Sequence, residues 1–162
     1  MIYLIFALKA EAQAFIEKKL ELNITVSGIG AYNMYNATKK IVKLMKEDDI
    51  IVNIGICGAS KEFIIGELLY IDMPSKNIKK NFTLSCVDNE VSKKDKYDVV
   101  DMESSGFINA TNMVKNRYMF KIVSDHFEPK LITKDGAKKL IFDNIDNIMK
   151  RIKDENSCCN WS

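Results

Sequence analysis

The sequence predicts a three-layer α/β/α domain built on a central mixed, mostly parallel sheet, and three observations carry that prediction. Short apolar runs alternate with amphipathic stretches along the chain, the order expected of β-α units whose sheet is covered on both faces. The 162 residues are 47% hydrophobic and 28% charged, with 7 Gly and 2 Pro, which suits one globular domain with a core large enough to need no disulfide or structural metal. No internal repeat or low-complexity linker interrupts the pattern, so residues 1–153 are taken as a single domain and 154–162 as a frayed tail.

The elements follow in order. Residues 2–8 are a continuous apolar run and predict a buried strand. Residues 10–20 form a helix with Ala14, Phe15 and Leu20 on one side and Glu17, Lys18 and Lys19 on the other. A second strand at 22–26 ends in Ser27-Gly28-Ile29-Gly30. Residues 31–46 then place Met34, Ala37, Ile41, Leu44 and Met45 at helical spacing. Asp48-Asp49 breaks that helix, and 50–54 is a third strand leading into a glycine turn, Gly55-Ile56-Cys57-Gly58. Further strands are expected at 68–73, 82–87 and 97–101, the last preceded by a polar turn at 93–96. A helix at 102–115 leads to the strand 118–123, which stops at Ser124-Asp125. The final helix, 133–152, is capped by Thr133 and turns Leu140, Ile141, Ile145, Ile148 and Met149 inward.

Composition excludes several function classes. With 24 basic against 22 acidic side chains, no net field draws the molecule to nucleic acid or to an anionic membrane. Only Arg117 and Arg151 are arginines, so few bidentate phosphate clamps can be built; both are placed on helix ends. The four cysteines lack C-x-x-C spacing, which removes zinc-knuckle and redox motifs and suits a reducing cytoplasm. The first apolar run is too short for a signal peptide, and no stretch approaches the roughly 20 apolar residues that span a bilayer.

In open α/β sheets the binding crevice lies beyond the C-terminal strand ends. Those positions hold Lys9 and Glu11, two glycine turns, Met102-Glu103 and Ser124-Asp125, so three carboxylates are expected on one rim. Each has a plain structural alternative: Glu11 and Glu103 as first-turn acids favoured by the helix dipole, and Asp125 as a turn residue. Gly28-x-Gly30 lacks the third glycine of a dinucleotide fingerprint, since position 33 is Asn; the glycines are read instead as small residues that let strand and helix pack closely. The single histidine, His126, is read as a packing or surface residue.

Taken together these segments resemble the nucleoside phosphorylase and nucleosidase superfamily, in particular its methylthioadenosine/S-adenosylhomocysteine nucleosidase branch. Ala7-Leu8-Lys9-Ala10-Glu11 is similar to that branch's A-M-E-x-E opening, and Val26-Ser27-Gly28-Ile29-Gly30 to its S-G-I-G turn. Residues 52–59, Val-Asn-Ile-Gly-Ile-Cys-Gly-Ala, resemble the N-x-G-x-A-G strand end, with Gly66-Glu67 where the family has Gly-Asp. Val100-Asp101-Met102-Glu103-Ser104-Ser105-Gly106 resembles V-x-M-E-x-x-A, and Ile122-Val123-Ser124-Asp125 the I-S-D strand end. The intervals 11–27 and 66–101 look shorter than in the family. The second leaves Leu84-Ser85-Cys86-Val87-Asp88, without the usual aromatic, as the candidate base contact.

The resemblance implies cleavage of a purine nucleoside at its N-glycosidic bond with no cofactor or metal. It makes Asp125 the general acid toward N7 of the base, helped by Ser124, with burial or neighbouring carboxylates raising its pKa. Glu103 holds the ribose hydroxyls over Met102, Glu11 activates water, and Ile56 and Gly58 line the pocket. It also implies dimers or larger oligomers in which a neighbouring subunit closes that pocket. Phosphorolysis, and a degenerate member that binds a nucleoside or only forms an assembly, remain as alternatives.

Overall fold

The structure, a computed structural model, describes residues 1–71, 82–92 and 96–158, the last three as backbone only. Among these residues it contains seven strands and four α-helices: β1 (Ile2–Phe6), α1 (Lys9–Glu17), β2 (Asn23–Val26), α2 (Ala31–Val42), β3 (Ile50–Ala59), β4 (Leu68–Ile71), β5 (Leu84–Cys86), β6 (Val99–Asp101), α3 (Ser104–Ala110), β7 (Arg117–Asp125) and α4 (Lys134–Cys158), with a 3-10 turn at Pro129–Leu131 before α4. The three-layer arrangement matches the sequence prediction. Parallel pairs join β1 to β2, β1 to β3, β3 to β7 and β5 to β6, while β6 runs antiparallel to β3 and β4 antiparallel to β7.

Strand alternation divides the core in two. Leu4, Phe6, Val52, Ile54, Phe120 and Ile122 pack beneath α1 and α4, against Phe15, Ile141, Ile145, Ile148 and Ile152. Ile5, Ile51, Cys57, Met119 and Val123 face the other way, toward Met34, Ile41 and Phe107 of α2 and α3. The cap of α4 is as expected: Thr133 Oγ1 accepts the Gly136 N–H at 3.0 Å.

Several boundaries differ from the sequence reading, each for a local reason. The segment 55–58 is not a glycine turn; it continues β3, because β7 supplies hydrogen bonds along that edge to Cys57. β7 likewise runs through Ser124 and Asp125. α1 stops at Glu17, with Lys19 at positive φ, so Leu20 is exposed rather than packed. Leu44 lies beyond α2 and is exposed too. The helix expected at 102–115 is only seven residues long. Arg117 opens β7 instead of ending a helix, and Arg151 lies inside α4. Helix α4 continues to Cys158, so 154–158 are helical, whereas 159–162 lie outside the described residues. Positions 72–73 of the fourth predicted strand and 93–95 of the polar turn also lie outside them.

The feature that positions the site is a fork in β3. β7 occupies one whole edge, so β1 and β6 share the other: β1 pairs with residues 50–53 and β6 with Gly58 and Ala59. Residues 54–57 face neither strand, and backbone N–H groups left open there need another acceptor.

Candidate active site

Glu11 fills that opening. It is the third residue of α1, and its Oε2 accepts the Leu8 N–H at 2.9 Å, half of a capping box. Its Oε1 accepts the Ile56 N–H at 3.0 Å, inside the fork. The expected helix-start role and a place in the site are therefore the same geometry. Only 2% of Glu11 is exposed, and this burial raises its pKa to about 7, against the two backbone hydrogen bonds and the Lys121 ammonium, which lower it.

Glu103 stands just before α3 and accepts the Gly30 N–H on Oε1 at 2.9 Å. Gly30 precedes the first turn of α2 with φ +99°, and Gly28 has φ +87°. Left-handed backbone therefore explains these two glycines; a Cβ at Gly30 would meet nothing within 4 Å, so close packing does not. Close packing does govern Gly106, where a Cβ would lie 2.0 Å from the Ala31 carbonyl oxygen. Its absence lets α3 dock on the start of α2, which brings Glu103 to Gly30.

Asp125 ends β7 beside a bulge: Cys57 pairs with Val123, and Gly58 pairs with Asp125, so Ser124 is the extra residue. The Ser124 hydroxyl lies 3.0 Å from the Cys57 carbonyl and 2.6 Å from Asp125 Oδ2, while Asp125 Oδ1 accepts the Glu128 N–H at 2.8 Å. The Ser124 hydroxyl can donate to either the Cys57 carbonyl or Asp125 Oδ2, which ties Asp125 to the end of β3. His126 Nδ1–H donates to the Ala59 carbonyl at 3.1 Å, a tie between strand ends that fits its packing role.

All seven sequence-predicted residues, Glu11, Ile56, Gly58, Met102, Glu103, Ser124 and Asp125, line one cavity of about 170 Å³, a volume on the scale that holds one aromatic ring. Of the candidate base-contact segment only Val87 reaches it, joined by Glu90 and Val91. Five acidic residues, Glu11, Glu90, Asp101, Glu103 and Asp125, line the cavity, and no Lys, Arg or His among the described residues does so.

Sequence reasoning missed Asp101 and Lys121 as site components. Lys121 sits in the middle of β7, 1% exposed, with its Nζ 2.7 Å from Asp101 Oδ2. Asp101 also accepts the Ser104 N–H at 2.9 Å and the Ser104 hydroxyl at 2.5 Å. Burial alone would lower the Lys121 pKa, but Asp101, Glu103 and Glu11 outweigh it and hold the ammonium protonated. Lys121 Nζ and Glu11 Oε1 meet beside Gly55: a Cβ there would lie 3.4 Å from both. A lysine inside the apolar run 118–123 was the sequence signal.

No protein-family profile and no curated protein matches this chain. Solved structures do match it across nearly their whole length. A putative 5'-methylthioadenosine/S-adenosylhomocysteine nucleosidase from Francisella philomiragia superposes with a TM-score of 0.71 at 13% identity, over 94% of this chain and 98% of that one. Futalosine hydrolase of Helicobacter pylori gives 0.72 at 14% identity over 95% and 97%. The methylthioadenosine/S-adenosylhomocysteine nucleosidase from Neisseria meningitidis, solved in complex with methylthio-immucillin-A, gives 0.70 at 14% identity over 93% and 97%. At these identities the likeness establishes the fold: this chain shares the α/β fold of these structures.

Proposed function

We propose that this protein hydrolyses the N-glycosidic bond of a purine nucleoside, in the manner of a methylthioadenosine/S-adenosylhomocysteine nucleosidase. The observation that carries the proposal is the convergence of Glu11, Glu103 and Asp125, from three separate parts of the chain, on one cavity with no basic side chain among its described lining residues. Such a reaction passes through a cation-like ribosyl centre, which a ring of carboxylates favours over the neutral ground state.

Each residue then has a distinct task. Glu11, with a pKa about 7, is poised to take a proton from water at neutral pH. The water oxygen bonds to C1′ as the C1′–N9 bond breaks, and the bond's electron pair leaves with the base. Asp125, with Ser124 beside it, delivers a proton to N7. Glu103 has no hydrogen-bond partner on Oε2 among the described residues, leaving that oxygen for a ribose hydroxyl, with Met102 under the sugar. Val87 and Val91 offer an apolar surface to the base in place of an aromatic ring.

Water rather than phosphate is the nucleophile because a phosphate dianion needs cationic or N–H donors. The Gly30 amide is taken by Glu103, Lys121 is sealed against Asp101, and Arg117 bonds the Thr111 carbonyl at 2.8 Å from the opposite end of β7. On the same reading the protein acts in the cytoplasm as a homodimer, and Ile29, exposed on the cavity's rim, is where a second copy closes it.

The test is base release from methylthioadenosine, S-adenosylhomocysteine, adenosine and inosine, followed by chromatography with and without phosphate. Release in phosphate-free buffer is expected, with kcat reduced about 10²- to 10⁴-fold by Asp125→Asn. Full activity in that variant overturns the assignment, and strict dependence on phosphate makes the protein a phosphorylase.

A further inference from the structure

The geometry points to Lys121 as a positioning residue: although outside the cavity lining, its buried ammonium is the counter-charge that opposes the effect of burial on the ionisation of Glu11, and Asp101 regulates how much of that charge Glu11 receives. Three observations support this. Lys121 is nearly inaccessible, so it cannot clamp a ligand directly. Its Nζ and Glu11 Oε1 converge on Gly55, each 3.4 Å from where a Cβ would stand, so the two charged groups face each other across that residue. Finally, Nζ is already held at 2.7 Å by Asp101 Oδ2, and Asp101 is itself fixed by Ser104. A lysine bonded to Asp101 offers Glu11 less attraction than a bare ammonium would, which leaves the Glu11 carboxyl able to hold a proton near neutral pH.

The charged groups around Glu11 come from several elements. Lys121 of β7 favours its ionised form, and Glu103 ahead of α3 opposes it. Asp101 of β6, Asp125 of β7 and Glu90, which follows β5, share the cavity wall. On α4, Lys138 and Asp146 pair with Glu17 and Lys18 at the far, exposed end of α1. Removing Lys121 therefore takes away the cation that, among the described residues, acts on Glu11, whereas removing the Asp101 charge takes away both a competitor for Lys121 and a like charge.

The catalytic meaning of this device rests on the proposed role of Glu11 as base; its physical readout does not. In protein labelled with ¹³C at glutamate Cδ, the Glu11 signal, assigned by its loss in Glu11→Gln, is expected to titrate with a midpoint about 7. Lys121→Met should move that midpoint up, and Asp101→Asn should move it down, each by about one pH unit or more, while Lys121→Arg should stay near wild type. The rising limb of kcat/KM against pH should shift in the same opposite directions. General structural damage would not move the two variants in opposite directions. An unchanged midpoint in Lys121→Met, or shifts of one sign in both, overturns the inference. If Lys121→Met does not fold, Asp101→Asn decides alone, since an unchanged or raised midpoint there also overturns it. Opposite midpoint shifts without base release from any nucleoside would sustain Lys121's role and reject the proposed function.

Discussion

The two faces of the sheet are built on different principles. Beneath α1 and α4 the packing is almost wholly apolar, from Leu4 and Phe6 to Ile148 and Ile152; the buried polar side chain of α4, Asn144, lies at the margin, where it donates to the Gly66 and Leu140 carbonyls. The face toward α2 and α3 carries Asn53, Thr38, Lys121, Asp101 and Ser104 within or beside its core. Two of its oxygens, Thr38 Oγ1 and Asn53 Oδ1, are buried without a hydrogen-bond partner among the described residues. Burying polar atoms costs free energy unless they are paired, so stability is concentrated on the first face and the second accommodates charge next to the cavity.

Three experiments sharpen or break that contrast. The largest effect is expected from Phe120→Ala on the apolar face. Phe120 is fully buried and its ring centroid lies 5.3 Å from that of Tyr70, so the substitution should cost about 3–5 kcal/mol in denaturant unfolding. A loss below about 1 kcal/mol would mean this face does not carry the stability.

Next comes the pH dependence of stability at Glu11. Its pKa is raised from 4.5 to about 7 on folding, so the folded state binds this proton more tightly than the unfolded chain. The corresponding stability is fully present below about pH 4.5 and is lost as pH rises through about 7, amounting to about 3 kcal/mol. Unfolding measured from pH 4.5 to 8 should show this decline in the wild type and a flatter profile in Glu11→Gln. Parallel profiles would show that Glu11 carries no such penalty.

The smallest effect tests the unpaired hydroxyl. Thr38→Val replaces a buried, partnerless oxygen with a methyl group of similar shape and should stabilise the protein by about 1 kcal/mol. A loss of stability would indicate that the hydroxyl is satisfied by a buried water.

Much of the fold was legible because its signals are local. The apolar runs at 2–8, 50–54 and 118–123 are strands, and the 3.6-residue spacing of Ile141, Ile145, Ile148 and Ile152 gives α4 its buried stripe. Where the reading failed, hydrogen-bond partners distant in sequence had overridden local preference. Gly55 and Gly58 suggest a turn, yet β7 holds them extended. Leu44 fits a helical stripe, yet no packing surface covers its position beyond α2.

The candidate site divides in the same way. Seven residues that now line one cavity could be named from short motifs at strand and helix ends, because such motifs specify which side chain stands at which end. That these ends meet follows from the parallel sheet. Lys121 and Asp101 remained hidden, since their meaning lies in a 2.7 Å contact between β7 and β6 that no spacing encodes.

By itself, then, the sequence determined the alternation of elements, the apolar stripes and the identity of the carboxylates at their ends, because periodicity and termini are properties of neighbouring residues. Only the tertiary structure decided that β3 forks, that Glu11 enters the gap to meet the Ile56 N–H, and that a buried lysine meets it beside Gly55. Those features depend on strands from separate parts of the chain competing for one edge, and the free energy of a charge is set by what surrounds it in space.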